Sequence, residues 1–380
     1  MDALKTFLSE TQTGQRPAFS SVLNDKTWQD AQKHAEKLQS FEHVLWIGMG
    51  GSTLGAQVLT KVLTPHNGRI IYLDNSDPIT VEHTLKTVNL EKTALVCVSK
   101  SGGTVETLLT ATLILEGMNA KSISPHGRFF AITEEKDSPL TSLCESVMGE
   151  RIAHDPNIGG RFSIFSIVGL FALAIQSGDG ASIITSAQAE LESFIKNPEG
   201  HAGYKTAKAL HNSNLTNYIL MPYGDRLKYI GDWFVQLWAE SLGKESQGLW
   251  PSVARGASDQ HACLQMMMDG VNNSFITIIR EDCRKSGTAL EKPWAETLSS
   301  PLLKNLDMGD LLFYQAEGTF EALQNADRNV RMLETSPEKL GGALMSLMLE
   351  TVCMSTFMNI NPWDQPAVED AKVRTSQYLK

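Results

Sequence analysis

The sequence predicts an α/β protein made of two doubly wound parallel sheets with helices on both faces, followed by a C-terminal helical segment. Three observations carry that expectation. Apolar runs of strand length alternate with stretches of helical periodicity, as crossover connections between parallel strands require. Several of those runs end in glycine- and serine-rich turns that open directly into a helix. After a polar helical stretch at 180–215 the same alternation starts again.

Taken in order, residues 1–40 read as polar helix, with an amphipathic piece in "WQDAQKHAEKLQSF". "HVLWIGMGGSTLGAQVLTKVL", "RIIYLDNSDPITVEHTL" and "TALVCVSKSGGTVETLLTATLIL" each read as strand, turn and helix, and "GRFFAITEE" as a further strand. "GGRFSIFSIVGLFALAIQSG" reads as one long apolar helix opened by glycines. In the second half, "TNYILMPYG" and "SFITIIRED" read as strands, "RLKYIGDWFVQLWAESLG" as helix, and "DLLFYQAEGTFEALQ" as strand and helix. The last residues are helical around a break at "NINPWDQP". The expected division is a helical segment over 1–40, α/β units over 41–190 and 205–345, and a helical segment over 346–380.

Composition narrows the function classes. The chain of 380 residues carries 33 basic and 43 acidic side chains, a formal charge of −10. That balance argues against nucleic-acid binding but leaves room for a local anion site. The five cysteines form no C-x-x-C pair and read as reduced thiols of a cytoplasmic protein. No signal peptide is expected. The longest apolar run, Ile164 to Ile175, is too short to span a membrane, so no membrane partner is expected.

The turn Ser99-Lys100-Ser101-Gly102-Gly103-Thr104 stands where ligands bind in a parallel sheet, at the carboxyl end of a strand. A helix N-terminus, three hydroxyls and one ammonium suit a phosphate. The alternative is an ordinary capped helix, with Ser101 or Thr104 as N-cap. Nucleotide loops fit poorly. No G-x-x-x-x-G-K-[ST] is present, and "GMGGSTLG" has Thr53 where a dinucleotide fingerprint needs its third glycine, although Asp74 lies where a ribose-binding acid would. Gly50, Gly51 and Ser52 fit better as a second backbone approach to a small phosphorylated ligand.

Six segments in order resemble the glucose-6-phosphate isomerase family: "IGMGGSTLG", "VSKSGGTVET", "GGRFSIFSIVG", "WAESLGK", "GASDQHACLQMMMDG" and "DQPAVEDAK". The resemblance implies sugar-isomerase (SIS-type) units and reversible aldose–ketose isomerisation of glucose 6-phosphate and fructose 6-phosphate through a cis-enediol(ate). A dual phosphoglucose/phosphomannose isomerase and a non-catalytic sugar-phosphate-binding module remain as alternatives. The chain is short for the family, and Thr53 and the Gly102–Gly103 pair depart from its usual loops.

The resemblance assigns roles residue by residue. Glu240 becomes the base; its spacing from Trp233 and Leu237 puts it on an apolar helix face, with a surface pair to Lys244 at i+4 as the competing reading. Arg161, after two glycines, becomes the cation beside the enediolate oxygen. His261 becomes a ring-opening acid–base group given across a homodimer interface, and Lys372 assists it. Gly51, Ser52, Ser99, Lys100, Ser101 and Thr104 hold the phosphate, with Gln365 on the phosphate or sugar and on the same helical side as Lys372. Glu106 orients the loop. No cofactor and no metal are expected, because isomerisation moves protons without net oxidation.

Overall fold

A computed structural model describes residues 18–379 except 22, 289, 291, 298–300, 304 and 305; the helix expected over the first 17 residues lies outside them. Helices α1 (Ala18–Ser21) and α2 (Asp25–Glu36) precede strand β1 (His43–Gly48). There follow α3 (Leu54–Leu63), β2 (Ile70–Leu73), α4 (Pro78–Thr87), β3 (Thr93–Val98), α5 (Val105–Ala120), β4 (Phe129–Thr133), α6 (Pro139–Ser146) and β5 (Glu150–Ala153). These strands form a parallel sheet of order β2-β1-β3-β4-β5. Helices α7 (Ile167–Ile175), α8 (Gly180–Lys196) and α9 (Ala202–His211) lead to the second sheet. It comprises β6 (Asn217–Pro222), α10 (Lys228–Leu242), β7 (Trp250–Val253), α11 (Leu264–Asp269), β8 (Ser274–Glu281), α12 (Lys292–Thr297), α13 (Met308–Asn325) and β9 (Asn329–Thr335). Its order is β7-β6-β8-β9, again parallel. Helices α14 (Leu340–Met358) and α15 (Glu369–Tyr378) close the chain.

Burial on both faces explains the central strands. "TALVCV" of β3 is buried at every position, the continuous apolar run of a strand covered by helices on both sides. The edge strands β5 and β7 are short and mostly polar or half-exposed, and their sequences do not announce strands. Three expectations are corrected. "DLLFYQAEGTFEALQ" is helix throughout: Asp307 caps α13 by accepting from the Asp310 N–H at 2.7 Å, and Leu312, Phe313 and Ala316 supply its packing face. The long apolar helix expected from Gly159 is divided into a 3-10 turn at Gly160–Phe165 and α7, with Ser166 capping the second piece through the Val168 N–H. Finally, Pro337–Met358 is a 22-residue helical stretch long and apolar enough to cross a membrane, although 78% of its apolar window is buried inside the protein, against α8, α9 and α10. It is a core helix, part of one hydrophobic cluster that runs from Val44 and Val96 to Tyr218 and Leu347.

One polar group interrupts that core. Glu350 on α14 is 1% exposed. It pairs with Arg331 of β9 at 2.8 Å and accepts from the Tyr218 hydroxyl at 2.8 Å, while Arg331 also donates to Tyr218 and Thr277. Burial pushes the Tyr218 phenol well above its ordinary value and keeps it a donor. Removing one partner strands a buried guanidinium, so Glu350→Ala is expected to lower stability by about 3–5 kcal/mol. Urea unfolding measures this; a loss under ~1 kcal/mol would show that water already reaches Arg331.

Candidate active site

The carboxyl ends of β1 and β3 build one wall of the site. After β1 the chain turns through Gly50 at φ +52°. A Cβ on Gly51 would lie 2.3 Å from the Gly160 carbonyl carbon, so only glycine lets the two loops touch. Ser163 locks them by donating to the Gly51 carbonyl at 3.0 Å. The Ser52 carbonyl accepts from the Trp46 indole, and its hydroxyl meets no partner among the described residues.

After β3, the Ser99 and Thr104 hydroxyls bond each other at 2.8 Å. Thr104 occupies the N-cap position of α5, yet its side chain makes no capping bond, and Ser101 accepts from Gly103 rather than from the helix. The capped-helix reading is therefore not realised. The first-turn N–H groups of α5 have no side-chain acceptor, the condition for an anion site. Gly102 holds the turn at φ +70°, where a Cβ would meet the Ser138 hydroxyl at 2.1 Å. Gly102→Ala is expected to raise the Michaelis constant for a phosphorylated substrate and to cost about 1–3 kcal/mol of stability. Steady-state kinetics and urea unfolding of the same variant check both.

Lys100 lies 3.8 Å from Glu134, which also pairs with Lys136. Burial lowers the Lys100 ammonium below the ordinary lysine value; Glu134 and Asp155 oppose that, while Lys136 and Arg161 add to it. The loop and Arg161 thus share one electrostatic field.

Arg161 is the organising side chain, 2% exposed. Nε donates to Ser241 at 2.8 Å, Nη1 to Glu240 at 3.2 Å and to Gln365 at 2.8 Å, and Nη2 to the Pro362 and Asp364 carbonyls. The Trp233 indole fixes the Arg161 carbonyl at 3.2 Å. Glu240 takes a second bond from Gln236, one turn earlier, at 3.0 Å. The expectation that Glu240 lies on an apolar face is corrected: the buried face of α10 runs through Ile230, Trp233, Phe234, Leu237 and Trp238, and Glu240 sits at its edge against a cation and an amide. The i+4 pair is not made either, because Lys244 pairs with Asp364 at 2.7 Å.

The structure brings Gly51, Arg161, Glu240 and Gln365 together and sets the Ser99–Thr104 turn beside them. It leaves His261 and Lys372 apart. His261 is exposed after β7 and bonds none of these groups. Lys372 pairs with Glu369 at 2.7 Å on α15, a helix that buries no residue. Gln365 precedes the helical turn with non-helical backbone, so it does not share a helix face with Lys372. Asp74 accepts from Gln57 at 2.7 Å, tying β2 to α3. No three His, Cys, Asp or Glu side chains among the described residues converge as metal ligands.

The sequence profile of phosphoglucose isomerase matches residues 19–286. The chain belongs to the phosphoglucose isomerase family. It is 32% identical to a glucose-6-phosphate isomerase of Thermus thermophilus over 93% of this chain and 88% of that one. It is 31% identical to a probable glucose-6-phosphate isomerase of Methanococcus maripaludis over 96% of this chain and 84% of that one. Among solved structures, a hypothetical protein from Thermus thermophilus superposes with a TM-score of 0.90 at 29% identity, covering 100% of this chain and 94% of the other. At fold level alone, the tagatose-6-phosphate ketose/aldose isomerase of Escherichia coli aligns with a TM-score of 0.60 at 12% identity, over 95% of this chain and 96% of the other. The phosphoglucose isomerase match contains the Ser99–Thr104 turn, Arg161, Glu240 and His261, and ends before Gln365 and Lys372.

Four contacting groups escaped the sequence reading: Gln236, Ser241, Glu134 and Asp364. Gln236 had a local signal, four residues before Glu240 on the same helix. Ser241 follows Glu240 on the same helix, while Glu134 and Asp364 are brought in from separate elements and had no local signal.

Proposed function

We propose that the protein interconverts glucose 6-phosphate and fructose 6-phosphate by ring opening and proton transfer through a cis-enediol(ate). The observation that carries the proposal is the contact of Arg161 with Glu240 and Gln365 beside an uncapped helix N-terminus. A phosphate on the α5 N–H groups, Ser101 and Lys100 would anchor the sugar chain. Glu240 would move the proton between the two carbons, and Arg161 would stabilise the oxyanion as it forms. Gln236 has a buried carbonyl oxygen without a hydrogen-bond partner among the described residues, which supports a substrate hydroxyl beside Glu240.

Ring opening falls to His261 and Lys372. We place His261 across a homodimer interface. Its exposure supports this, as does exposed Met266 on the helix that follows it, an apolar side chain of the kind that association covers. The role given to Lys372 requires α15 to settle against bound substrate or a second chain. Five unpaired cysteines support a cytoplasmic setting.

The test is conversion of fructose 6-phosphate to glucose 6-phosphate by the purified full chain. Binding of the sugar phosphate without turnover would overturn the enzyme in favour of a sensor. The pH profile gives a second check. A depressed lysine is charged below its folded value and neutral above it, so the phosphate contact is present at neutral pH and lost as pH rises. The alkaline limb of kcat/KM is expected below the ordinary lysine value of 10.5. Lys100→Arg should remove that limb, since guanidinium keeps its charge.

A further inference from the structure

The core helix α14 ends at Asn359, in the left-handed region at φ +57°, and Ile360 still belongs to the hydrophobic core. The chain then leaves the core as a strap, residues 361–365, that delivers Gln365 to Arg161 and leads into α15. Beyond Pro362 every described residue is exposed. Burial therefore does not place Gln365. Apart from the Trp363 ring stacked on Phe162 and Phe19, two cations hold the strap.

Arg161 holds it through the Pro362 and Asp364 carbonyls and the Gln365 side-chain oxygen. Lys244 holds it through the Asn361 carbonyl, the Asp364 carbonyl at 2.7 Å and the Asp364 carboxylate at 2.7 Å. An ammonium has three donors, and all three go to the strap. The Asp364 carbonyl is shared by both cations. The Lys244 side chain is 12% exposed against 57% for Asp364, so this is not a pair of two solvated side chains. Lys244 comes from the end of α10, its backbone N–H donating to the Leu242 carbonyl at 2.9 Å. The helix that presents Glu240 thus also anchors the strap that presents Gln365. Both groups meet the same nitrogen, Arg161 Nη1, at 3.2 and 2.8 Å.

We propose that Lys244 is a positioning residue: by fixing the strap to the end of α10 it sets where Gln365 stands against Arg161 and the bound sugar phosphate. It acts through Gln365 and does not itself touch substrate. The inference rests on the proposed function only in taking Gln365 as a contact of the phosphorylated ligand.

The experiment is a double-mutant cycle on the full chain: wild type, Lys244→Met, Gln365→Ala and the double variant. Each is titrated calorimetrically with glucitol 6-phosphate, a hexitol phosphate with no carbonyl to isomerise, and assayed for turnover of fructose 6-phosphate. Arg161 still holds the strap at three acceptors in Lys244→Met, so that variant is expected to fold. It should weaken binding and raise the Michaelis constant about tenfold. The change in kcat should stay under about twofold, because Glu240 keeps its contacts to Arg161 and Gln236. In the Gln365→Ala background the same substitution should change binding by less than about twofold. In protein labelled with 5-fluorotryptophan, the fluorine resonance of Trp363 should move in Lys244→Met. A loss that persists undiminished without Gln365 would be the loss of a nearby positive charge or of stability, and would overturn the proposal. Unchanged binding in Lys244→Met, a fall confined to kcat, or an unmoved Trp363 resonance would overturn it as well. Wild type that binds the hexitol phosphate without turning over fructose 6-phosphate would overturn the isomerase alone, and the binding cycle would still decide on Lys244. Wild type that binds neither would overturn both.

Discussion

Glu240→Gln is expected to reduce conversion of fructose 6-phosphate by about 10²-fold or more, with little change in the Michaelis constant. Glutamine keeps the length of the side chain. It can still accept from Arg161 Nη1, which holds one carboxylate oxygen at 3.2 Å; its NH2 replaces the other oxygen, held by Gln236 Nε2 at 3.0 Å, and can donate to the Gln236 carbonyl oxygen once that amide turns over. What it loses is the capacity to take a proton. A drop confined to kcat would therefore report chemistry rather than binding. The assay is run with and without EDTA, because the proposed route needs no metal. Undiminished activity in the folded variant would put the base elsewhere and remove Glu240 from the mechanism.

The second large effect is expected at Arg161. The guanidinium makes five hydrogen bonds to two distant parts of the chain: α10 through Ser241 and Glu240, and the C-terminal turn through Pro362, Asp364 and Gln365. Lysine keeps one charge but cannot span that fork. Arg161→Lys leaves buried carbonyls unpaired and frees the turn that Trp363 otherwise pins against Phe19 and Phe162 at 6.0 and 5.0 Å between ring centroids. Loss of kcat/KM by about 10²–10³-fold is expected, the range seen when one oxyanion donor is removed. A stability loss of about 1–3 kcal/mol for each buried acceptor left unpaired should accompany it. Stopped-assay kinetics and urea unfolding separate the two. Lost stability with unchanged kcat/KM would make Arg161 a structural clamp alone.

Much of the architecture was legible in the residues themselves. The buried central strands β1, β3, β4, β6 and β8 are continuous apolar runs, and a parallel sheet covered on both faces leaves no other pattern. Of the edge strands only β2 was legible; β5, β7 and β9 were not, because a strand exposed on one side has no such constraint. β9 reads "NVRMLET", with charged and polar positions that β8 and α14 make use of. The apolar run in α13 misled for a related reason: Leu311, Leu312 and Phe313 are consecutive, and only the cap at Asp307 and packing around Ala316 decide for helix.

The same division holds at the site. The glycines that permit close approach and the hydroxyl-rich turn after β3 are local features, set by what a short stretch of backbone can adopt, so the sequence alone determined them. Which carboxylate meets Arg161 is a different matter. Glu240 is 79 residues away and Gln365 is 204 away, and nothing in either local pattern specifies the meeting. Helical spacing placed Glu240 with apolar neighbours and Lys244. The folded chain instead gave Lys244 to Asp364 and Glu240 to Arg161, because a buried guanidinium must find acceptors wherever the packed core places them.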